Sequence, residues 1–367
     1  MHLESLSLVN FKNYEQLDIE LDNRINCFVG NNGVGKTNLL DAIYYLSLTK
    51  SYFNPVDSQN IKHNEDFFVI QGKFKHNEST ENIYCGLKRN RKKQFKRNNK
   101  EYQRLAEHIG LIPVVMISPA DSSLILDGSE ERRKFINMVI SQYDPEYLEK
   151  VIYYNRTLTQ RNKLLKDFGA SGRFDKETLE IYNDQLAAAG NEIYRKRQDF
   201  TGQLVPIFQQ FYNQISMGNE QVELVYQSHL QNSDFRELLE QSERKDRALE
   251  YTTAGIHKDD LVLNLDGFPI KKTGSQGQQK TYLVALKLAK FEFIRKIHNL
   301  KPVLLLDDIF DKFDAGRVKQ IIKLVAGSEF GQIFITDTSQ SHLEPILQEA
   351  GVSYRLFNID KKGIELK

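Results

Sequence analysis

The sequence predicts an α/β protein with both parallel and antiparallel strands and a mostly helical insertion, and three observations carry that prediction. An apolar strand over residues 26–29 runs into the turn Gly30-Asn31-Asn32-Gly33-Val34-Gly35-Lys36-Thr37 and then into a helix opened by Asn38-Leu39-Leu40. A second apolar strand, Val303-Leu304-Leu305-Leu306, ends in Asp307-Asp308. Between these two markers, residues 121–246 turn to helical periodicity for most of their length.

The elements follow in order. Leu6 and Leu8 alternate with Ser5 and Ser7, and Leu17, Ile19 and Leu21 with Asp18 and Glu20. That is the period of half-buried strands, joined here through Asn10-Phe11-Lys12-Asn13-Tyr14. Residues 49–64 read as loop, broken at Asn54-Pro55. Residues 67–74 and 83–87 read as an antiparallel pair, so the chain is not a simple repeat of strand and crossover helix. Residues 88–104 hold nine cations against Glu101 alone, with Asn98-Asn99 as a hairpin tip. This run, with Lys92, Lys93, Lys96 and Arg97 at its centre, is equally compatible with a solvated hairpin and with contact to a phosphate backbone.

A short buried strand over 114–117 ends at Ser118-Pro119. Ser129, with Glu130 and Glu131 behind it, opens a helix, and Asp144-Pro145 opens another that Gly169-Ala170-Ser171-Gly172 stops. Further helices are expected over 177–196 and 205–215, and a strand over 222–226. The expected division is a head from 1–120 and 247–367, with 121–246 inserted as an antiparallel helical arm. The alternating run Leu261-Val262-Leu263-Asn264-Leu265 turns at Asp266-Gly267. Just before it, His257 has no evident catalytic partner in the sequence. A strongly patterned helix over 282–297, a helix over 318–325 and a strand over 332–335 follow, the last ending in Thr336-Asp337-Thr338. Residues 341–350, 353–358 and 363–366 read as helix, strand and strand.

Composition narrows the class. A chain of 367 residues with 40 % hydrophobic residues supports a sizeable core and two domains or so. The net charge of +1 gives no global basic field, so any nucleic-acid surface must be local. The only two cysteines, Cys27 and Cys85, suit a reducing compartment and give no metal-ligand spacing. The start lacks a basic segment followed by an apolar run, and no apolar stretch is long enough for a bilayer. The expectation is a soluble cytoplasmic protein.

The chemistry lies in the two markers. Gly30, Gly35, Lys36 and Thr37 fit the P-loop pattern G-x-x-x-x-G-K-[ST]. Gly30, Gly33 and Gly35 free the backbone so that successive N–H groups aim at one phosphate, and the helix start adds its own N–H groups and dipole. Lys36 reaches the terminal phosphates and the Thr37 hydroxyl suits Mg²⁺. A buried strand then delivers Asp307 for Mg²⁺ and Asp308 to orient or deprotonate the attacking water. The turn Ser275-Gln276-Gly277-Gln278-Gln279-Lys280 opens the long helix and is a second anion-binding helix start, weak by itself.

A P-loop near the start, a signature-like turn far downstream and strand-end acids shortly after resemble the ABC-type ATPase heads of the SMC and recombination-repair class. Asn10-Phe11-Lys12-Asn13-Tyr14, Ile117-Ser118-Pro119 with Asp121, Gly255-Ile256-His257-Lys258-Asp259-Asp260-Leu261 and Ser275-Gln276-Gly277-Gln278-Gln279-Lys280 narrow this to a resemblance to the RecF family over nearly the full length. The resemblance implies an ABC-type P-loop ATPase head with a helical arm. It implies ATP and Mg²⁺ as cofactors, an ATP-dependent homodimer, and weak DNA-dependent ATP hydrolysis acting as a switch. It further implies binding to gapped or junction DNA, action with RecR and RecO in loading RecA, and roles in replication restart and the SOS response. In this scheme Ser275, Gln276, Gly277 and Gln278 act on the partner's γ-phosphate, Lys12 or Asn13 approaches the nucleotide, and Asp314 and Thr336 stand at the D-loop and switch positions.

Two departures from the wider ABC pattern and a third from the RecF family's own stand out. Asp308 replaces the usual Glu, Thr336-Asp337-Thr338 replaces the switch histidine, and Lys50-Ser51-Tyr52-Phe53-Asn54 lacks a second basic residue. The first two predict slow hydrolysis. A transporter subunit is disfavoured by the variant signature and missing histidine, and a long-armed SMC protein by the short arm.

Overall fold

The structure, a computed structural model, describes residues 1–367 apart from 219, 311, 312, 314, 350, 361, 362 and 367. In chain order its elements are β1 (His2–Phe11), β2 (Tyr14–Glu20), β3 (Ile25–Val29), α1 (Lys36–Leu48), β4 (Phe67–His76), β5 (Ser79–Lys88), β6 (Gln94–Arg97), β7 (Lys100–Glu101) and β8 (Val114–Ile117). There follow α2 (Ser123–Leu126), α3 (Ser129–Ser141), α4 (Pro145–Ser171), α5 (Lys176–Ser216), β9 (Val222–Gln227), α6 (Phe235–Leu249), β10 (Asp260–Leu265), β11 (Phe268–Pro269) and α7 (Ile270–Thr273). The chain closes with α8 (Gln276–His298), β12 (Val303–Asp307), α9 (Ala315–Val325), β13 (Ile333–Asp337), α10 (Gln340–Glu349), β14 (Arg355–Ile359) and β15 (Ile364–Leu366). Among the described residues, no helix is long and apolar enough to cross a membrane.

The chain divides into two compact units. The first takes residues 1–122, 210–219 and 275–367. It holds a sheet ordered β15-β14-β3-β13-β12-β8 and an antiparallel sheet ordered β2-β1-β4-β5-β6-β7. From β14 to β8 every pairing in the first sheet is parallel. β3, β8, β12 and β13 are buried at every position, which is why they read as unbroken apolar runs. The antiparallel strands alternate instead: β4 buries Phe68, Ile70, Gly72 and Phe74 and exposes Phe67, Gln71, Lys73 and Lys75. Helix α1 packs on strands of both sheets, and nearly all of its side chains are buried. That double burial explains why its sequence shows no polar face.

The second unit takes residues 123–209 and 220–274. Asp144 caps α4 by accepting from Tyr147 N at 3.0 Å with Pro145 behind it, and Gly172 ends it at φ 68°. The two helices expected over 177–196 and 205–215 are one helix of 41 residues, α5, which runs through Pro206. Its buried stripe continues across the expected break through Ile193, Phe200, Leu204 and Phe208, while Arg197 and Thr201 in the gap are themselves buried. Polar residues on the inner face hid the continuity. The boundary also differs from the sequence expectation: residues 247–274 group with the second unit. The cause is a strand pairing, since β10 runs antiparallel to β9 from Asp260↔Gln227 to Leu265↔Val222.

Candidate nucleotide-binding site

β3 carries the chain to the carboxyl edge of the parallel sheet, where open α/β sheets place ligands. The loop beyond it needs glycine at both ends. Gly30 adopts φ 155°, and a Cβ there would lie 2.2 Å from Ile359 O. Gly35 adopts φ 114°, and a Cβ there would lie 2.4 Å from Asn13 Nδ2. Asn13 braces the loop: its Nδ2 donates to Val34 O at 2.9 Å and its Oδ1 accepts from Asn38 Nδ2 at 2.7 Å. Tyr14 adds a hydroxyl bond to Gly35 O at 3.1 Å. Asn31, Asn32 and Gly33 form the exposed tip. Gly35 gives α1 no side-chain cap, and the first turn holds no acid, so the helix start keeps its anion-attracting end.

Lys36 is folded back into its own loop. Its buried ammonium donates to Gly30 O at 2.5 Å and Asn31 O at 2.9 Å. Burial lowers its pKa, and the charges of Asp308, Asp307 and Asp337 oppose that shift. The next residue, Thr37, donates to Asp307 Oδ1 at 2.9 Å, which joins the loop to the end of β12. Asp307 Oδ1 also accepts from Thr336 Oγ1 at 2.9 Å, and Oδ2 accepts from Ser118 Oγ at 3.3 Å. Burial raises the Asp307 pKa, Asp308 adds to the rise, and the three hydroxyl bonds counter it. Thr336 also accepts from Asp308 N at 2.9 Å, so the residue standing at the switch position holds both acids. Asp308 itself sits at φ 48°. A Thr hydroxyl and a carboxylate oxygen in contact are hard oxygen donors that fit Mg²⁺. No cluster of three His, Cys, Asp or Glu residues occurs among the described residues, and an ion completed by phosphate oxygens needs none.

Behind Asp307 lies a support that sequence reasoning missed. Ser118 N donates to Asp121 Oδ2 at 2.9 Å, and Asp121 Oδ1 pairs with Lys287 Nζ of α8 at 2.5 Å. Tyr52 donates its hydroxyl to Asp121 and accepts from Lys287 at 3.1 Å. Ser118 and Asp121 stand in a motif that the family resemblance used without giving them a role. The partners Tyr52 and Lys287 carry no sequence signal, because long-range pairing leaves none.

The remaining expected residues fall into place unevenly. Ser275 caps α8 in a capping box with Gln278, their bonds being 2.8 Å and 3.3 Å. Ser275 and Gln276 are exposed, and Arg317 of α9 lies against Gly277 and donates to Thr281 Oγ1 at 3.0 Å. Asp314 lies outside the described residues. Of the two residues expected near the nucleotide, Asn13 bonds the loop, while the Lys12 ammonium pairs with buried Asp41 at 2.6 Å and covers the Phe53 ring. The four cations at the centre of the basic hairpin differ in their surroundings. Lys93 is spent on Asp57 at 2.7 Å and Thr49 O at 2.6 Å, and Arg97 is held bidentate by Glu81. Lys92 stays exposed, and Lys96 sits 5.3 Å from the Tyr84 ring centroid. In the second unit, His257 bonds Tyr154 OH and Thr252 O and serves packing.

Comparison with known proteins agrees with this geometry. Residues 2–362 match the family described as RecF/RecN/SMC N terminal domain. The DNA replication and repair protein RecF of Bacteroides fragilis (strain YCH46) is 54 % identical over 99 % of this chain and 98 % of its own. Its counterpart in Flavobacterium johnsoniae is 52 % identical over 98 % of this chain and all of its own. A solved structure of the recombination mediator protein RecF with ATP superposes with a TM-score of 0.90 at 29 % identity, covering 100 % of this chain and 97 % of that one. The Smc head domain of Pyrococcus furiosus, at 16 % identity and a TM-score of 0.59 over 100 % of this chain and 96 % of that one, shares the fold. With the head fold of ABC-type ATPases and near full-length identity above half, the chain belongs to the RecF family.

Proposed function

We propose that the chain is an ATP-gated DNA clamp of recombinational repair. The observation that carries the reading is the Thr37–Asp307 contact, which brings the P-loop and the strand-end acid to one point at the sheet edge. RecF relatives at more than half identity support the DNA and repair part.

In this reading the loop from Gly30 to Thr37 and the start of α1 cradle the phosphates of ATP. Lys36 exchanges its two loop carbonyls for phosphate oxygens. Thr37 and Asp307 hold Mg²⁺, which neutralises phosphate charge. Asp308 orients the attacking water and takes its proton. The turn Ser275-Gln276-Gly277-Gln278 of a second copy closes over the γ-phosphate. ATP then stabilises only the dimer that completes its site, which makes dimerisation nucleotide-dependent. Hydrolysis is weak and DNA-dependent and acts as a timed switch, a view that a turnover well above the common enzyme median of about 10 per second would reject. The clamp acts in the cytoplasm on single- and double-stranded DNA near gaps and junctions. With RecR and RecO it supports RecA loading, replication restart and the SOS response.

The test is sedimentation of wild type and Lys36→Met with ATP and Mg²⁺, with and without a gapped duplex. Wild type is expected to dimerise and bind DNA only with ATP, and the variant to do neither. A wild type that stays monomeric and ignores DNA under all conditions rejects the clamp.

A further inference from the structure

The outward face of the antiparallel sheet has a chemistry of its own. The inward side chains Phe68, Ile70, Cys85 and Leu87 are buried, Phe68 against the Tyr45 ring of α1 at 5.7 Å. Outward, the cross-strand pairs Phe67↔Lys88, Val69↔Gly86 and Tyr84↔Lys96 form one surface. Phe67 is 40 % exposed. A Cβ on Gly86 would meet Tyr84 Oη at 2.5 Å, so the Tyr84 ring lies across the gap that the glycine leaves. A groove of about 530 Å³ runs over this face, and Lys88, Arg91 and Lys92 border it with no carboxylate in its lining. None of these three cations is ion-paired among the described residues, unlike Lys93 and Arg97 nearby.

We infer that this groove binds a single-stranded stretch of nucleic acid, with bases stacked on Phe67 and Tyr84 and phosphates on Lys88, Arg91 and Lys92. The proposal rests on the DNA-binding reading above and adds where an unpaired strand sits. The physical case is the combination. Cations alone suit any phosphate backbone. An exposed Phe67 ring beside a half-buried Tyr84 ring is useful only where base faces are free, which a duplex denies and a single strand offers. A protein partner with an acidic tail would use the cations and leave the rings unexplained. The expected discrimination is therefore between base stacking and charge.

The experiment measures binding of a fluorescent oligo-dT and of a blunt duplex to the full chain with ATP and Mg²⁺. Wild type is compared with Phe67→Ala/Tyr84→Ala and with Lys88→Gln/Lys92→Gln. Removing two stacking rings is expected to weaken oligo-dT binding at least about tenfold while duplex affinity stays within about twofold. The charge variant is expected to lower the slope of log affinity against log salt by about 0.7 for each lost contact to the single strand. ATP-dependent sedimentation, read on each variant, shows that the chain is folded. Oligo-dT binding by the ring variant at wild-type strength overturns the groove and leaves the clamp standing. So do equal losses on oligo-dT and duplex, which mark a sequence- and strand-indifferent phosphate surface. If wild type dimerises with ATP but binds neither DNA, the DNA reading itself fails.

Discussion

The acids at the edge of the parallel sheet and the acids inside the second unit meet their surroundings differently. Asp307 is 3 % exposed and accepts from three neutral hydroxyls, with no ion pair among the described residues. Lys36, also buried at 6 % exposure, is held by two carbonyls and no carboxylate. In the second unit, by contrast, Asp246 pairs with Arg161 at 2.8 Å and Asp259 with Arg197 at 2.6 Å. Those networks continue: Arg161 also reaches Asn183 and Thr252, and Asp259 also accepts from Tyr226 OH at 2.5 Å. The acids are aspartates in both places. What separates a site from a scaffold is whether the buried charge has already met its opposite. A desolvated charge without a counter-charge is unfavourable to the fold and is available to a ligand of the other sign.

The largest test of that contrast is Arg161→Met. It leaves Asp246 buried with its other bonds but no cation, and is expected to lower unfolding free energy by about 3–5 kcal/mol in urea titrations. Lys36→Met in the same series is expected to lose far less, since no carboxylate is stranded. Equal losses would mean that the phosphate site is as structural as the arm's ion pairs, and the distinction would fall.

Acid sharpens the contrast next. His257 is a neutral ring by construction: Thr252 O can only accept, so Nε2 carries the proton and Nδ1 accepts from Tyr154 OH at 2.9 Å. Burial, the largest cause, drops its pKa from 6.5 to about 4, and Lys258 and Arg133 add to the drop. The folded value lies below the ordinary one, so the stability it contributes is whole above pH 6.5. It is lost as pH falls from there toward about 4, by about 3 kcal/mol at 1.36 per unit. Buried His108, bonded to Tyr102 OH and Leu46 O and also dropped to about 4, does the same in the first unit. Thermal melts of His257→Gln between pH 7 and 4.5 are expected to lose the part of the acid loss that His257 supplies and to keep the rest, His108's share included. An unchanged acid slope would show that His257 titrates normally.

How much of this was legible follows the same physics. Strands buried on both faces announce themselves as apolar runs, so β3, β8 and β12 were readable to the residue or nearly so. The P-loop was readable because its backbone demands glycine at Gly30 and Gly35 and its chemistry demands Lys36 and Thr37. The capped start of α4 at Asp144 was readable for the same local reason, whereas α3 begins at Ser129 behind Gly128 with no side-chain cap, so the serine marked the helix start without capping it. Nonlocal choices were not. The pairing of β9 with β10 moved a boundary that composition placed elsewhere, and the buried Arg197 and Thr201 disguised α5 as two helices. Within the site, the residues missed were those that act through a distant partner: Ser118 on Asp307, Asp121 on Lys287, Tyr14 on Gly35. In the hairpin the charge count was visible, but which cations were already neutralised was not.

The smallest effect is the most discriminating. Asp307 has its pKa raised above the ordinary 3.8, chiefly by burial. Its ionised form therefore opposes folding, and that opposition is absent at low pH and appears as pH rises past 3.8. Asp307→Asn keeps an oxygen to accept from Thr37 and Thr336 and offers an N–H toward the Ser118 hydroxyl. At pH 7 this variant is expected to be more stable than wild type by about 0.5–2 kcal/mol, the usual range for relieving such a site. Urea midpoints of the two proteins are expected to converge as the pH approaches 4. ATP hydrolysis is expected to disappear in the same variant if the proposed site is right, because an amide could not supply the charge that would hold Mg²⁺ beside Thr37. A variant that instead loses stability at pH 7 would place Asp307 with Asp246 and Asp259 as a carboxylate the fold depends on. A variant with both gains and losses as stated would show, at a single side chain, stability given up for chemistry.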